Sequence, residues 1–198
     1  FATHLQPFPG ELVLTLAGDE ERMGELGTQW LIDNVPAVKG DGVIVADVGS
    51  PTSVRLGEKG MIWLDLVATG QQSHGAHVHA GANAIDRLTA ALSDLRALEK
   101  ISVSTPPEVA AVIDAASLIS SADPAPARDV MRRITVNTGT ISGGISSNLV
   151  PDEARAGLDI RIPLGMTAAD LETRIVDCLS RHPDVQWSVV RRYEPSWT

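Results

Sequence analysis

An α+β fold is predicted for this chain by three observations. Two strand-like runs frame an amphipathic helical repeat, a cleanly alternating run follows them, and a capping signal then opens a second helical repeat. In order the elements read β-α-(α)-β-β-α-β. That is the order of a ferredoxin-like sandwich with one extra helix, whose helices cover one face of its sheet.

The residues ahead of this pattern read differently. Glu11 to Ala17 is apolar on both faces, as a strand inside a parallel sheet is. After Gly18-Asp19-Glu20-Glu21 comes a helical stretch with Met23, Leu26 and Trp30 near helical spacing. Beyond Gly40-Asp41-Gly42, Val43 to Ala46 is a second short strand. Strand, helix, strand is a βαβ unit, which implies parallel strands and a right-handed crossover.

From Gly60 onward the strands alternate. Ile62, Leu64 and Leu66 share one face, and Asn83 to Glu99 carries Ile85, Leu88, Leu92 and Leu95 on one helical stripe. A further helix is expected from Pro107 to Ser120, closed by a loop over Ser120 to Pro126. Strands follow at Arg133 to Ile141 and Glu153 to Leu164. In the second of these, Ala154, Ala156, Leu158, Ile160 and Ile162 point one way while Arg155, Asp159 and Arg161 point the other. Thr167-Ala168-Ala169-Asp170 resembles a capping box, with Leu171, Ile175, Cys178 and Leu179 inward. Val185 to Tyr193 is the last strand.

With 198 residues and 43% hydrophobic composition, the chain can build one or two cored domains. Its formal net charge of −9 repels phosphate backbones, which argues against nucleic acid as a partner. Cys178 is the only cysteine, so no internal disulfide can form, and its place on an apolar stripe suits a reducing compartment. No apolar run is long enough for a membrane span and no signal-peptide pattern opens the chain. A cytoplasmic protein is expected, and a start at Phe1 suggests a reading frame that extends upstream.

Three clusters carry chemistry. Asp19-Glu20-Glu21 and Asp47 each follow an expected parallel strand, so their carboxylates would gather at the sheet edge where open α/β sheets place ligands. Such oxygens can bind a divalent metal or act as a general base, although acidic residues also open helices to match the dipole. Ser73 to His79 holds three of the five histidines, His74, His77 and His79. His77 and His79 read more readily as loop residues than as metal ligands. Gly143 to Pro151 is a Gly- and Ser-rich turn between strands, and Arg161 beside Asp159 has the look of an ordinary salt-bridged face.

Taken together, these segments resemble the M20 metallopeptidase family, which includes acetylornithine deacetylase, succinyl-diaminopimelate desuccinylase, aminoacylase and carboxypeptidase G2. The resemblance rests on Asp19-Glu20-Glu21 with Gly24 and Gly27, Asp47 to Thr52, Gly57 to Gly60, Ser73-His74-Gly75, Asn83-Ala84-Ile85, Gly143-Gly144 with Asn148 to Pro151, and Asp159-Ile160-Arg161. It implies a dinuclear zinc hydrolase, with cobalt or manganese as other metals such ligands accept, whose α/β catalytic domain is interrupted by a ferredoxin-like lid that mediates homodimerisation. Residues 1–58 would be part of the catalytic domain, 59–194 the lid, and 195–198 the start of the return.

By the same resemblance, Glu20 matches the general base and Glu21 a zinc ligand. Asp47 takes the place of the ligand to the other zinc. The spelling Asp-Val-Gly-Ser-Pro departs from the family's Glu-Pro-Thr, so Ser50 is the other aligned candidate; a carboxylate is the better ligand. His74 matches the histidine that reaches into the partner subunit's site and steadies the oxyanion, and Asn148 and Arg161 match residues that hold the substrate. The implied reaction is hydrolysis of an amide in an N-acyl amino acid or small peptide by metal-activated water. A His-x-Asp, a bridging aspartate and a last histidine of the family pattern are not found here, so the chain is expected to be an inner portion, inactive alone. The alternative is a non-catalytic dimeric or metal-binding module that keeps the lid fold.

Overall fold

The computed structural model describes residues 10–20, 24–45, 54–120 and 124–198. The chain divides into two units, residues 1–53 and 54–198.

In the first unit a π-helical turn, Glu25–Gln29, runs into a short helix α1 (Trp30–Asn34), and a 3-10 turn follows at Pro36–Val38. The helical stretch is therefore present, but the two expected strands are not in any sheet among the described residues: 11–17 and 43–45 carry no ladder. Leu14, Leu16 and Ile44 are 83%, 85% and 94% exposed. Parallel strands need cover on both faces, and one five-residue helix cannot provide it. Ala46 lies outside the described residues.

The second unit opens with β1 (Gly57–Glu58) and β2 (Gly60–Thr69), then β3 (Ser73–His74), a 3-10 segment Gly75–Ala80, and α2 (Ala84–Arg96). Helices α3 (Pro107–Ser120) and α4 (Pro124–Arg132) lead to β4 (Thr135–Gly143), β5 (Leu149–Val150) and β6 (Glu153–Ile162). Helix α5 (Ala168–Leu179), β7 (Val185–Tyr193) and β8 (Ser196–Trp197) complete it. The four long strands form an antiparallel sheet in the order β4-β6-β2-β7, the ferredoxin-like arrangement.

The core lies on one face of this sheet. Ile62, Leu64 and Leu66 of β2 meet Leu158, Ile160 and Ile162 of β6 beneath Leu88 and Leu95 of α2 and Leu171 and Ile175 of α5. Every one of these was on an apolar stripe in the sequence. Local signals start the two covering helices: Asn83 Oδ1 accepts the Ile85 and Asp86 backbone N–H groups, and Thr167 and Asp170 form a reciprocal capping box.

The expected loop at Ser120–Pro126 is corrected by α4. Pro124 and Pro126 fall in the first turn of a helix, where backbone N–H groups have no intrahelical acceptor, so they cost nothing there. Arg132 then donates to Ala110 O and Asp114 Oδ1 of α3, both at 2.9 Å, tying the two helices into a hairpin. A small cluster of Val109, Ile113, Leu164 and Met131 packs inside it.

A polar pin joins α2 to the end of α5: His182 Nε2 and Asp94 Oδ2 lie 2.9 Å apart, with Arg181 at 3.3 Å from the same oxygen. The His182 hydrogen bond, helped by the Arg181 charge, holds the Asp94 carboxyl below its ordinary 3.8. A carboxyl depressed on folding adds stability that is full above its unfolded pKa and is lost as pH falls through the folded one. The urea midpoint of wild type should therefore exceed that of Asp94→Asn near neutrality, and the gap should close below about pH 4. A gap unchanged between pH 6 and pH 3 would show that the pin carries no such linkage.

Candidate functional site

In the first unit Asp19 and Glu20 divide the labour. Asp19 Oδ2 accepts the Leu26 N–H at 2.7 Å and Asp19 O accepts the Gly24 N–H at 3.0 Å, so Asp19 fastens the start of the helical turn. Gly27 makes room for it, since a Cβ there would lie 2.1 Å from Asp19 Oδ1. The helix-opening reading of the acidic run thus falls on Asp19. Glu20 is exposed and open to other work. Glu21, Asp47 and Ser50 lie outside the described residues.

In the second unit, β3 and β5 form a two-residue antiparallel clip that pairs Ser73 with Val150 and His74 with Leu149. The Gly75 N–H donates to Asn148 O at 2.7 Å, extending the clip by one bond. A Cβ at residue 75 would stand 3.1 Å from that carbonyl, so glycine permits the approach. The loops on both sides are stitched to the sheet end: Gln71 and Ala82 exchange backbone bonds, Gly70 N–H reaches Asp152 O, and Ala84 N–H reaches Pro151 O.

The clip carries two exposed side chains, His74 and Asn148. His74 Nδ1 accepts the Ala76 N–H at 3.1 Å, which in the neutral ring puts the proton on Nε2 and makes that nitrogen a donor. Asn148 Oδ1 is taken by the Ser146 hydroxyl, which leaves the Asn148 amide N–H pair for other acceptors. The sequence singled out both residues as candidates but did not show the bond pattern that leaves each with a donor to offer.

The other histidines do not add up to a metal site. Ring centroids lie 6.3 Å apart for His74 and His77 and 5.9 Å for His77 and His79, yet no group of three or more His, Cys, Asp or Glu among the described residues could hold a metal ion. Of the expected carboxylates only Asp19 and Glu20 are described, and Asp19 is spent on the helical turn, so the described residues do not by themselves fit a metal centre.

Arg161 stands elsewhere. It lies on β6 opposite Met61 of β2 and Thr135 of β4, eight residues beyond Glu153, the strand end next to the clip. At the usual rise along a strand that separation is about 26 Å. Near it, Lys59 Nζ donates to Val130 O and Arg133 O, both at 2.8 Å, and to Thr135 Oγ1 at 3.4 Å, closing the end of α4 onto the sheet. Burial, and then the Arg133 and Arg161 charges, bring the Lys59 amine down to about 8. Lys59 was part of a recognisable Gly-Glu-Lys-Gly segment, but nothing in the sequence showed that its three protons are spent on the fold.

Residues 56–185 match the family described as the peptidase dimerisation domain, of M20 type. The chain belongs to the M20 peptidase family. Over 183 residues it is 28% identical to the succinyl-diaminopimelate desuccinylase of Paracoccus denitrificans, covering 88% of this chain and 41% of that protein. Over 119 residues it is 34% identical to a protein of Neosartorya fischeri named as a probable carboxypeptidase, covering 59% and 23% respectively. The fold is similar to that of an M20 family metallo-carboxypeptidase from Sulfolobus solfataricus, with TM-score 0.62 and 16% identity over 85% of this chain and 46% of that one. The M20 chain thus spans less than half the length of these relatives. Among its described residues no helix is long and apolar enough to cross a membrane.

Proposed function

We propose that this chain is the inner part of a zinc-dependent amidohydrolase that cleaves N-acyl amino acids or small peptides. Residues 1–58 would belong to its catalytic domain, 59–194 to the lid, and 195–198 to the return. The observation that carries this reading is the match of residues 56–185 to the M20 peptidase dimerisation domain, within which the clip leaves His74 and Asn148 each with a hydrogen-bond donor to offer an oxygen gaining charge.

A divalent metal pair, zinc with cobalt or manganese as substitutes, would supply Lewis acidity toward the amide carbonyl and the attacking water. Glu21 and Asp47 would be this chain's ligands to it. Glu20 takes the proton from the attacking water and returns it to the leaving amine, which its exposure at the start of the helical turn allows. His74 Nε2–H and the Asn148 amide donate to the oxyanion. Arg161 pairs with the substrate carboxylate.

The distance between Arg161 and the His74–Asn148 clip has a direct consequence for this reading. A small acyl amino acid cannot reach across about 26 Å, so the two ends of one lid serve different substrates. A homodimer resolves this, with the clip of one subunit completing a site to which the other subunit contributes Arg161. The buried, unpaired Cys178 agrees with a reducing compartment such as the cytoplasm.

The test is to purify the full-length gene product with zinc or cobalt and offer it N-acetyl and N-succinyl amino acids and dipeptides. Release of free amine, abolished by a chelator and restored by metal, is the expected result. A metal-loaded protein that hydrolyses none of them would return the chain to the class of non-catalytic dimeric modules.

A further inference from the structure

Two Arg–carboxylate pairs two residues apart lie on the polar face of β6, and they differ in a way that bears on Arg161. In the first pair, Arg155 spends Nε and Nη2 on the two separate oxygens of Glu153, and both side chains are more than half exposed. Pairs of that kind are screened and hold little. In the second, Arg161 Nε at 3.0 Å and Nη2 at 2.8 Å converge on one oxygen, Oδ2 of Asp159, whose side chain is only 28% exposed.

The other oxygen, Asp159 Oδ1, is sealed from solvent and has no partner among the described residues. Asp159 sits on a central strand, with Trp63 of β2 and Asn137 of β4 as its register partners. The Trp63 indole N–H is likewise buried without a partner. A desolvated, half-satisfied carboxylate is costly to the fold, and a neutral residue of the same shape would cost less. What the carboxylate supplies is a fixed, weakly screened anchor for the guanidinium. With Nε and Nη2 held, Nη1 is the edge of Arg161 left to meet a ligand.

We propose that Asp159 is a positioning residue that aims Arg161 at the substrate carboxylate, its own Oδ1 being shut off from water. This rests on the hydrolase reading for the identity of the ligand, but the orienting role itself does not. An unaimed arginine samples many rotamers, and each binding event must then order it. The Asp159 anchor removes most of that cost before substrate arrives.

Two measurements separate the inference from the reading beneath it. The first needs no activity: the Arg161 side-chain Nε–H signal of this chain, followed by NMR. It should be rigid in wild type and mobile in Asp159→Asn, with rigidity partly restored in Asp159→Glu; an equally rigid signal in Asp159→Asn overturns the proposal. The second uses the full-length enzyme. Asp159→Asn should raise KM for an N-acyl amino acid about tenfold, with a much smaller fall in kcat. The same substitution should leave KM nearly unchanged for the matching substrate whose carboxylate is replaced by a carboxamide. Equal penalties on both substrates, or a loss confined to kcat, would reduce Asp159 to a structural role. Failure of the wild-type enzyme on every substrate would count against the hydrolase reading while leaving the NMR result to decide this one.

Discussion

Replacing Glu20 with Gln in the full-length protein should lower kcat by about 10²- to 10⁴-fold, the usual loss when a general base is removed. The substitution keeps the side chain's shape and takes away only its capacity to accept a proton. Glu20 is exposed, and the bonds that start the helical turn belong to Asp19, so the thermal midpoint should not move. Asp19→Ala makes the contrast: it strips the Leu26 N–H of its acceptor and should cost stability as well as activity. A Glu20→Gln enzyme with a tenth or more of wild-type turnover would remove Glu20 from the mechanism.

The second large effect is at His74. Loss of one preorganised oxyanion donor costs about 10²- to 10³-fold in kcat, and His74→Ala should fall in that range. The more informative result comes from mixing. If the clip serves the partner's site, a mixed dimer of Glu20→Gln and His74→Ala subunits has one site with both defects and one with neither. Random exchange makes half the dimers mixed, each with one of two sites intact, so about a quarter of wild-type activity should return. Two inactive variants that stay inactive after exchange would mean that His74 acts within its own subunit or not at all.

How much of this was legible in advance depended on the range of the interaction. Ile62, Leu64 and Leu66 and the alternation of β6 announced the sheet, because the strand period is written into neighbouring residues. The Thr167–Asp170 box was legible for the same reason. Helix α4 was hidden by Pro124 and Pro126, which punctuate a chain equally well as loop residues or as a first turn. The apolar runs at 11–17 and 43–45 have strand character without strand pairing among the described residues, since composition signals a wish for burial and not the presence of a cover.

The sequence offered candidate site residues but not their arrangement. Ser73–His74 meeting Leu149–Val150 is a two-residue pairing across more than seventy positions, too short to leave a periodic trace. That Arg161 and the clip with His74 lie toward opposite ends of the four-stranded sheet follows from the β2–β6 register, which pairs Met61 with Arg161 and Thr69 with Glu153. On the proposed reading, that register is the reason one substrate would need residues from two copies.

A last consequence follows from β1 and β8. Gly57 pairs with Trp197 and Glu58 with Ser196, and Thr198 N–H closes onto Leu56 O, so the first and last strands of this unit lie side by side as one two-stranded ribbon. A module carried on a single tether can swivel freely, whereas one carried on paired tethers can bend but resists twisting, because rotation would shear the hydrogen bonds between them. Such a ribbon also makes the unit transplantable. A host chain that can present two strand ends side by side could accept it in place of a tight turn, with its own register undisturbed.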